Sequence, residues 1–259
     1  MELIDTHCHL TFKQLESNVD AVLHRSIEAG VKSWLTVGTD PVENKRVLEL
    51  CDKYENLYAA VGIHPHEASK SNDIDVEELK SSAKNPKVVA IGETGLDYHY
   101  DFSPKADQQR LFKAHLQIAA DLNLPVIIHS REAFDDTIKI LNNYRSSLKK
   151  VVFHCFSYSP QQVIDLLDNG YFLSFTGVIT FKGAGLVRES AKIVPLDRMM
   201  IETDCPYMTP EPLRKQKVNE PAYLVHTARF LADLKQIPLD QFSQAVTSTS
   251  RSFFGINTK

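Results

Sequence analysis

Long apolar runs are missing from this sequence: nowhere do roughly 18 consecutive apolar residues occur, so no membrane-spanning helix is expected. The start also lacks the basic segment and apolar stretch of a secretory signal, which sets the expectation of a cytoplasmic protein with no membrane partner. Cysteine is scarce. The four present, Cys8, Cys51, Cys155 and Cys205, show no C-x-x-C spacing and no dense framework, which suits a reducing compartment. A basic excess is absent too: 29 Lys and Arg face 33 Asp and Glu, for a net charge of -4. That balance excludes a broad cationic field, so any nucleic-acid contact has to be a local patch assisted by metal ions. With only 10 glycines and 12 prolines beside 43% hydrophobic residues, the composition is not that of a disordered or fibrous chain.

What is present is a rhythm. Eight short apolar runs read as strands: "LID" from Leu3, "SWLTVG" from Ser33, "LYAAVG" from Leu57, "KVVAIG" from Lys87, "PVIIH" from Pro125, "KVVFH" from Lys150, "YFLSF" from Tyr171 and "RMMIE" from Arg198. Helical periodicity falls between and after them, at Val42 to Tyr54, Lys105 to Leu122, Glu132 to Tyr144, Pro160 to Leu167 and Glu220 to Lys235, with a further segment from Leu239 to Gly255. Such alternation predicts parallel strands joined by crossover helices. Eight units in 259 residues predict an α/β fold, a (β/α)8 TIM barrel forming a single domain over 1–259, with an open doubly wound sheet as the runner-up.

Most of the apolar runs end in a residue able to hold a metal. His7 and His9 close the first, His64 and His66 the third, Glu93 and Asp97 the fourth, His129 the fifth, His154 the sixth, and Glu202 and Asp204 the eighth. In a barrel the C-terminal strand ends share one face, where active sites lie. Side chains alternate along a strand, so His7 and His9 point one way while Cys8 points the other and packs. The same period sets Asp5 behind His7 and Glu202 behind Asp204, as buried carboxylates expected to orient imidazole ligands or share a proton. One histidine at a strand end is usually a satisfied surface or core group. Six candidates together, His7, His9, Glu93, His129, His154 and Asp204, form a mixed nitrogen and oxygen set suited to divalent ions. That is more than one catalytic zinc uses and enough for two ions joined by a carboxylate.

The motifs "DTHCHL" at Asp5, "VGIHPH" at Val61, "IGETGLDY" at Ile91, "PVIIHSRE" at Pro125, "FHCFS" at Phe153, "ETDCPY" at Glu202 and "NEPAYL" at Asn219 carry a resemblance across nearly the whole chain. The sequence resembles the TatD family of metal-dependent deoxyribonucleases, within the amidohydrolase-like group of metal-binding barrels. The resemblance implies that His7, His9, Glu93 and Asp204 hold one ion and that Glu93, His129 and His154 hold the other, with Glu93 as the bridge. It further implies two divalent ions, magnesium, manganese or zinc, and hydrolysis of phosphodiester bonds in DNA as a 3'-5' exonuclease. Three positions depart from the family's pattern. Val218 stands where similar proteins often carry arginine before Asn-Glu-Pro, and Thr249 and Ser250 replace a more usual Asn-Ala, a change expected to act on helix packing.

On this reading Asp204 is both ligand and acceptor of the attacking water's proton, and Glu93 is catalytic through the ions it joins. His64 binds the scissile phosphate or protonates the leaving oxygen, with closure of the turn before Pro65 as its bland alternative. Arg131, Lys182 and His66 are the expected substrate contacts, Arg131 because a guanidinium offers paired donors to phosphate. Its bland alternative is an ion pair with Glu132 or Asp135. The aromatics Tyr98, Tyr100, Phe156 and Tyr207 are candidates to stack bases or to anchor loops. DNA or another phosphodiester is the expected partner, for a monomer. A deaminase or lactonase built on the same scaffold is the competing enzyme reading, and a barrel retained only for binding is the third.

Overall fold

A computed structural model describes residues 1–256; positions 257–259 of the expected domain lie outside the described residues. Eight strands follow one another in the order β1 to β8, and each pairing resolved within the sheet is parallel. Eight parallel strands in sequence order, alternating with helices, are the (β/α)8 arrangement that the rhythm of the sequence predicts. The strands and helices form two compact groups, one from residues 1–36 with 154–256, the other from residues 37–153.

In the first group lie β1 (Leu3–Cys8), β2 (Val31–Val37, all but its last residue), β7 (Phe172–Phe175) and β8 (Met199–Ile201). Their helices are α1 (Val19–Glu28), α6 (Pro160–Asp168), α7 (Gly185–Ile193), α8 (Leu224–Lys235) and α9 (Leu239–Phe254). All six residues of β1 are buried, so its polar members, Asp5, Thr6 and His7, must find partners inside the protein. The expected extra helix is α9, which packs against α8, β1 and β8. Thr247 Oγ1 donates to the carbonyl of Glu2 and Thr249 Oγ1 to that of Leu196, both at the N-terminal approaches to strands. Ser250 Oγ donates back to Val246. The Thr249 hydroxyl therefore ties α9 to the turn before β8, while that of Ser250 bonds within its own helix.

The second group holds α2 (Pro41–Cys51), β3 (Leu57–Val61), α3 (Asp73–Ser82), β4 (Val88–Asp97), α4 (Lys105–Leu122), β5 (Val126–Arg131), α5 (Phe134–Asn142) and β6 (Val151–Phe153). Helix α4 has the bounds read from the sequence, because Leu111, Phe112, Leu116 and Ala119 recur at helical spacing and are all buried. Each large member contributes about 1.5–3 kcal/mol by leaving water. Asn123 ends the helix in the left-handed conformation, which asparagine tolerates. Pro41 follows the Asp40 cap of α2, whose carboxylate accepts from the N–H groups of Val42 and Glu43.

Strand β4 runs farther than its apolar core "VVAI" suggests. It carries Glu93 in mid-strand and ends on Asp97, because Thr94, Gly95, Leu96 and Asp97 all pair with β5. Gly95 is what permits this. Its φ of +142° and the 2.0 Å gap between a notional Cβ and the His129 carbonyl leave room for no side chain.

Candidate metal-binding residues

In the first group, β1 delivers His7 and His9 to one side, as the strand period predicts, with their Nε2 atoms 3.2 Å apart. Asp204 joins them: its Oδ1 lies 3.4 Å from His9 Nε2 and 3.8 Å from His7 Nε2. The backbone fixes this approach, since Asp204 N–H donates to the His7 carbonyl and His9 N–H to the Cys205 carbonyl. Asp204 itself sits at φ +53°, a left-handed conformation that an aspartate tolerates better than most residues. Burial pushes its carboxyl upward, but the hydrogen bond with His9 and the proximity of His7, His9 and His154 outweigh that and hold it below the ordinary carboxylate value. Two imidazole nitrogens and a carboxylate oxygen converging on one point form a donor set that fits a divalent cation.

His154 stacks on His7, with ring centroids 4.2 Å apart and planes 14° from parallel, and its Nδ1 lies 3.5 Å from Glu202 Oε1. The same Glu202 oxygen accepts from Cys155 N–H at 2.6 Å. Glu202 therefore stands beside an imidazole as expected. Asp5 does not. Its two oxygens accept from the N–H and hydroxyl of Thr203 at 2.9 and 2.6 Å and from the His7 N–H at 3.4 Å, so it ties together the backbones that carry His7 and Asp204. Burial raises its pKa to about 7, partly offset by those bonds. The cysteines pack as expected: Cys8 is fully buried with its thiol donating to the Leu35 carbonyl, and Cys155 lies against the Thr176 hydroxyl.

In the second group, Glu93, His64 and His129 converge. Glu93 Oε1 is 2.7 Å from His129 Nδ1 and 3.5 Å from His64 Nε2. Asp97 grips the other side of the same imidazole, with Oδ2 2.9 Å from His129 Nε2 and 3.0 Å from His66 Nε2. Its Oδ1 accepts from the N–H groups of His99 and Tyr100. Burial acts to raise the Asp97 pKa, yet the bonds from His129, His66 and Tyr100 prevail and hold it far below the carboxylate range. Asp97 is thus ionised, and it is the site residue whose role the sequence reading did not assign. Period two would have found it, because residues 93, 95 and 97 share one face of β4.

His64 closes the turn before Pro65, the bland alternative of its two readings. Its Nδ1 accepts from the His66 N–H at 3.1 Å and caps the short turn that Pro65 begins, which leaves the ring proton on Nε2, toward Glu93. Burial lowers its pKa to about 4, so at neutral pH the ring is uncharged and still a hydrogen-bond donor. His66 lies with Asp97 rather than free toward solvent. Arg131 forms no ion pair with Glu132 or Asp135 among the described residues; Glu132 instead pairs with His99 at 2.6 Å. Lys182 is exposed ahead of α7. The segment before it is a helical turn from Gly177 to Thr180, and the Arg188 guanidinium donates to the carbonyls of Ile179 and Thr180. Phe156 is 4% exposed and packs on Phe175, so it is a core residue and not a base-stacking one. Asn219 opens the "NEPAYL" motif. Fully buried, it donates to the carbonyls of Thr203 and Tyr207 and so clamps the segment carrying Asp204.

The profile of the family described as "TatD related DNase" matches residues 4–255. The chain belongs to the TatD family. Among curated TatD relatives, the "Uncharacterized metal-dependent hydrolase YabD" of Bacillus subtilis is 37% identical over 98% of this chain and all of its own length. The "3'-5' ssDNA/RNA exonuclease TatD" of Salmonella typhimurium is 36% identical over 89% of this chain and 90% of its own. The crystal structure of YJJV, a TatD homologue from Escherichia coli K12, superposes with a TM-score of 0.93 at 33% identity, covering 98% of both chains. This TatD protein is accordingly one of a family of metal-dependent hydrolases with the (β/α)8 barrel fold, and among its described residues no helix is long and apolar enough to cross a membrane.

Proposed function

We propose that this protein is a two-metal phosphodiesterase that degrades DNA from its 3' end. The observation carrying the proposal is the pair of mixed nitrogen and oxygen clusters, His7, His9 and Asp204 in one group and Glu93 with His129 in the other. Such donors suit magnesium, manganese or zinc. His154 is assigned to the ion of the second set, and Glu93 to both ions, on the family resemblance. The exonuclease name of the Salmonella relative supports nucleic acid as substrate.

Divalent ions bound there supply charge neutralisation for a phosphodiester and acidify water. The chain supplies the rest. The Asp204 carboxylate, held ionised, takes the proton of the attacking water. His64, neutral with its proton on Nε2, donates that hydrogen bond to the phosphoryl or leaving oxygen. Asp97 fixes the ring of His129, and Arg131 meets substrate phosphate. Lys182 and His66 keep their assigned substrate roles within this proposal, Lys182 through its exposure and His66 through its place beside Asp97.

The decisive experiment incubates metal-reconstituted protein with 3'- and 5'-end-labelled single-stranded oligonucleotides, beside a generic phosphodiester and a panel of amides and lactones. Stepwise loss from the 3' end, abolished in Asp204→Asn, is the expected result. Turnover of amides or lactones without phosphodiester cleavage would transfer the protein to the amidohydrolase reading.

A further inference from the structure

The loop between β4 and α4 turns two large aromatic rings to solvent. Tyr100 is 41% exposed and Phe102 62%, yet the rings stack on one another, with centroids 5.3 Å apart and planes within 16° of parallel. Packing does not account for a stacked pair held at the surface, because its apolar faces stay wet. Arg131 ends β5 directly opposite Asp97 in the sheet register and holds its guanidinium carbon 4.9 Å from the Tyr100 ring centre. That guanidinium is exposed and has no carboxylate partner among the described residues. Stacked in this way, it keeps its in-plane N–H fork available for an anion.

The pair is also coupled to the candidate metal ligands. The His66 ring meets Phe102 edge-on at 4.8 Å and Tyr100 at 5.5 Å. His66 in turn shares the Asp97 oxygen that holds His129. Rings, guanidinium and ligand imidazole therefore belong to one contiguous surface of the 37–153 group. Tyr98 does not contribute to it. Its hydroxyl donates to Asp136 and Lys105 lies 3.9 Å over its ring, so it is a loop anchor.

We propose that Tyr100, Phe102 and Arg131 form a nucleotide-binding subsite in which an unpaired nucleobase stacks on the aromatic pair while the guanidinium holds a neighbouring phosphate. This deepens the nuclease reading above and rests on it. Every base offers a π face, so the subsite is indifferent to sequence; a base inside a duplex already has both faces covered, so the ligand is single-stranded. A lone phosphodiester or a small amide would use neither ring.

The test measures binding of a fluorescent, phosphorothioate-linked oligothymidylate of about ten nucleotides to the full chain, by anisotropy, beside an equally long strand of tetrahydrofuran abasic units. Phe102→Ala and Tyr100→Ala are expected to weaken oligothymidylate binding about tenfold each. They should leave the weaker abasic affinity unchanged, and Phe102→Trp should restore binding. Arg131→Gln should weaken both strands and flatten the salt dependence. Equal affinities for wild type and the alanine variants, in a protein that still cleaves oligonucleotides with metal, would overturn the subsite and leave the nuclease reading standing. A wild-type protein that neither binds nor cleaves oligonucleotides removes both.

Discussion

The Oδ2 atom of Asp97 lies 2.9 Å from Nε2 of His129, while Nδ1 of the same ring faces Glu93 at 2.7 Å. With Asp97 ionised, the Nε2–H bond is the stronger claim on the ring proton, so the lone pair stays on the Glu93 side, where a cation is expected. Asp97→Asn removes the charge that enforces this tautomer. Affinity for manganese or zinc at the Glu93 group should fall about 10- to 100-fold by isothermal titration. The His129 15N shifts of metal-free protein should report mixed tautomers. An unaltered affinity would show that Asp97 only braces the loop.

Metal stoichiometry separates the two ligand groups. Asp204→Asn and His9→Ala each weaken the set built on β1, so plasma mass spectrometry should find about one ion fewer per chain than in the wild type. Glu93→Gln should cost both ions if it is the shared ligand. Loss of a single ion in that variant refutes the bridge while sparing the rest of the assignment.

Asn219 is buried with its amide nitrogen donating to two carbonyls of the Asp204 segment and its oxygen accepting from the Glu220 N–H. Alanine there leaves those three backbone groups without this partner, two of them buried. A loss of about 2–4 kcal/mol is expected in urea unfolding, together with weaker metal binding, because Asp204 loses its clamp. Full stability in Asn219→Ala would mean that water replaces the amide.

His115 gives a pH dependence away from the metal ligands. Its Nε2 accepts from the Ile63 N–H and its Nδ1–H donates to the Leu111 carbonyl, both at 2.9 Å. Burial lowers its pKa from 6.5 to about 4. The folded state therefore resists protonation, so the stability the ring provides is complete above about pH 6.5 and declines as pH falls toward 4. Between pH 7 and pH 5 the loss attributable to this ring is about 2 kcal/mol. His115→Gln keeps an acceptor for Ile63 but cannot titrate, and its stability should fall less over the same range by that amount. Parallel curves for the two proteins would contradict the assignment.

How far the sequence could be read differs by element. The strands were legible because each is a short apolar run bounded by polar or turn residues, and α4 because four buried residues recur at helical spacing. Helix α3 was not, since Leu79 is its only buried residue and acidic side chains crowd its first turn. Helix α7 begins at a glycine, which reads as loop. Histidines at strand ends announced the ligands, whereas Asp97, visible at the end of the fourth run, gained its role only from the contacts that bring His129 and His66 to it. Tertiary contacts decided what no local pattern could. Nothing in "ETDCPY" says that Thr203 would engage Asp5, or that Phe156 would turn inward while Phe102 stays out.

The two ligand groups differ in how much chain must exist before they can form. Glu93, His64 and His129 belong to a continuous stretch, residues 37–153. His7 and His9 have to wait for Asp204, and the group that carries them also draws on α9. During synthesis from the N-terminus, the middle of the protein can order its acids and imidazoles while the opening histidines still lack their carboxylate. On the proposed assignment, an ion held by His7, His9 and Asp204 is expected to be captured only after the Asp204 segment has been made.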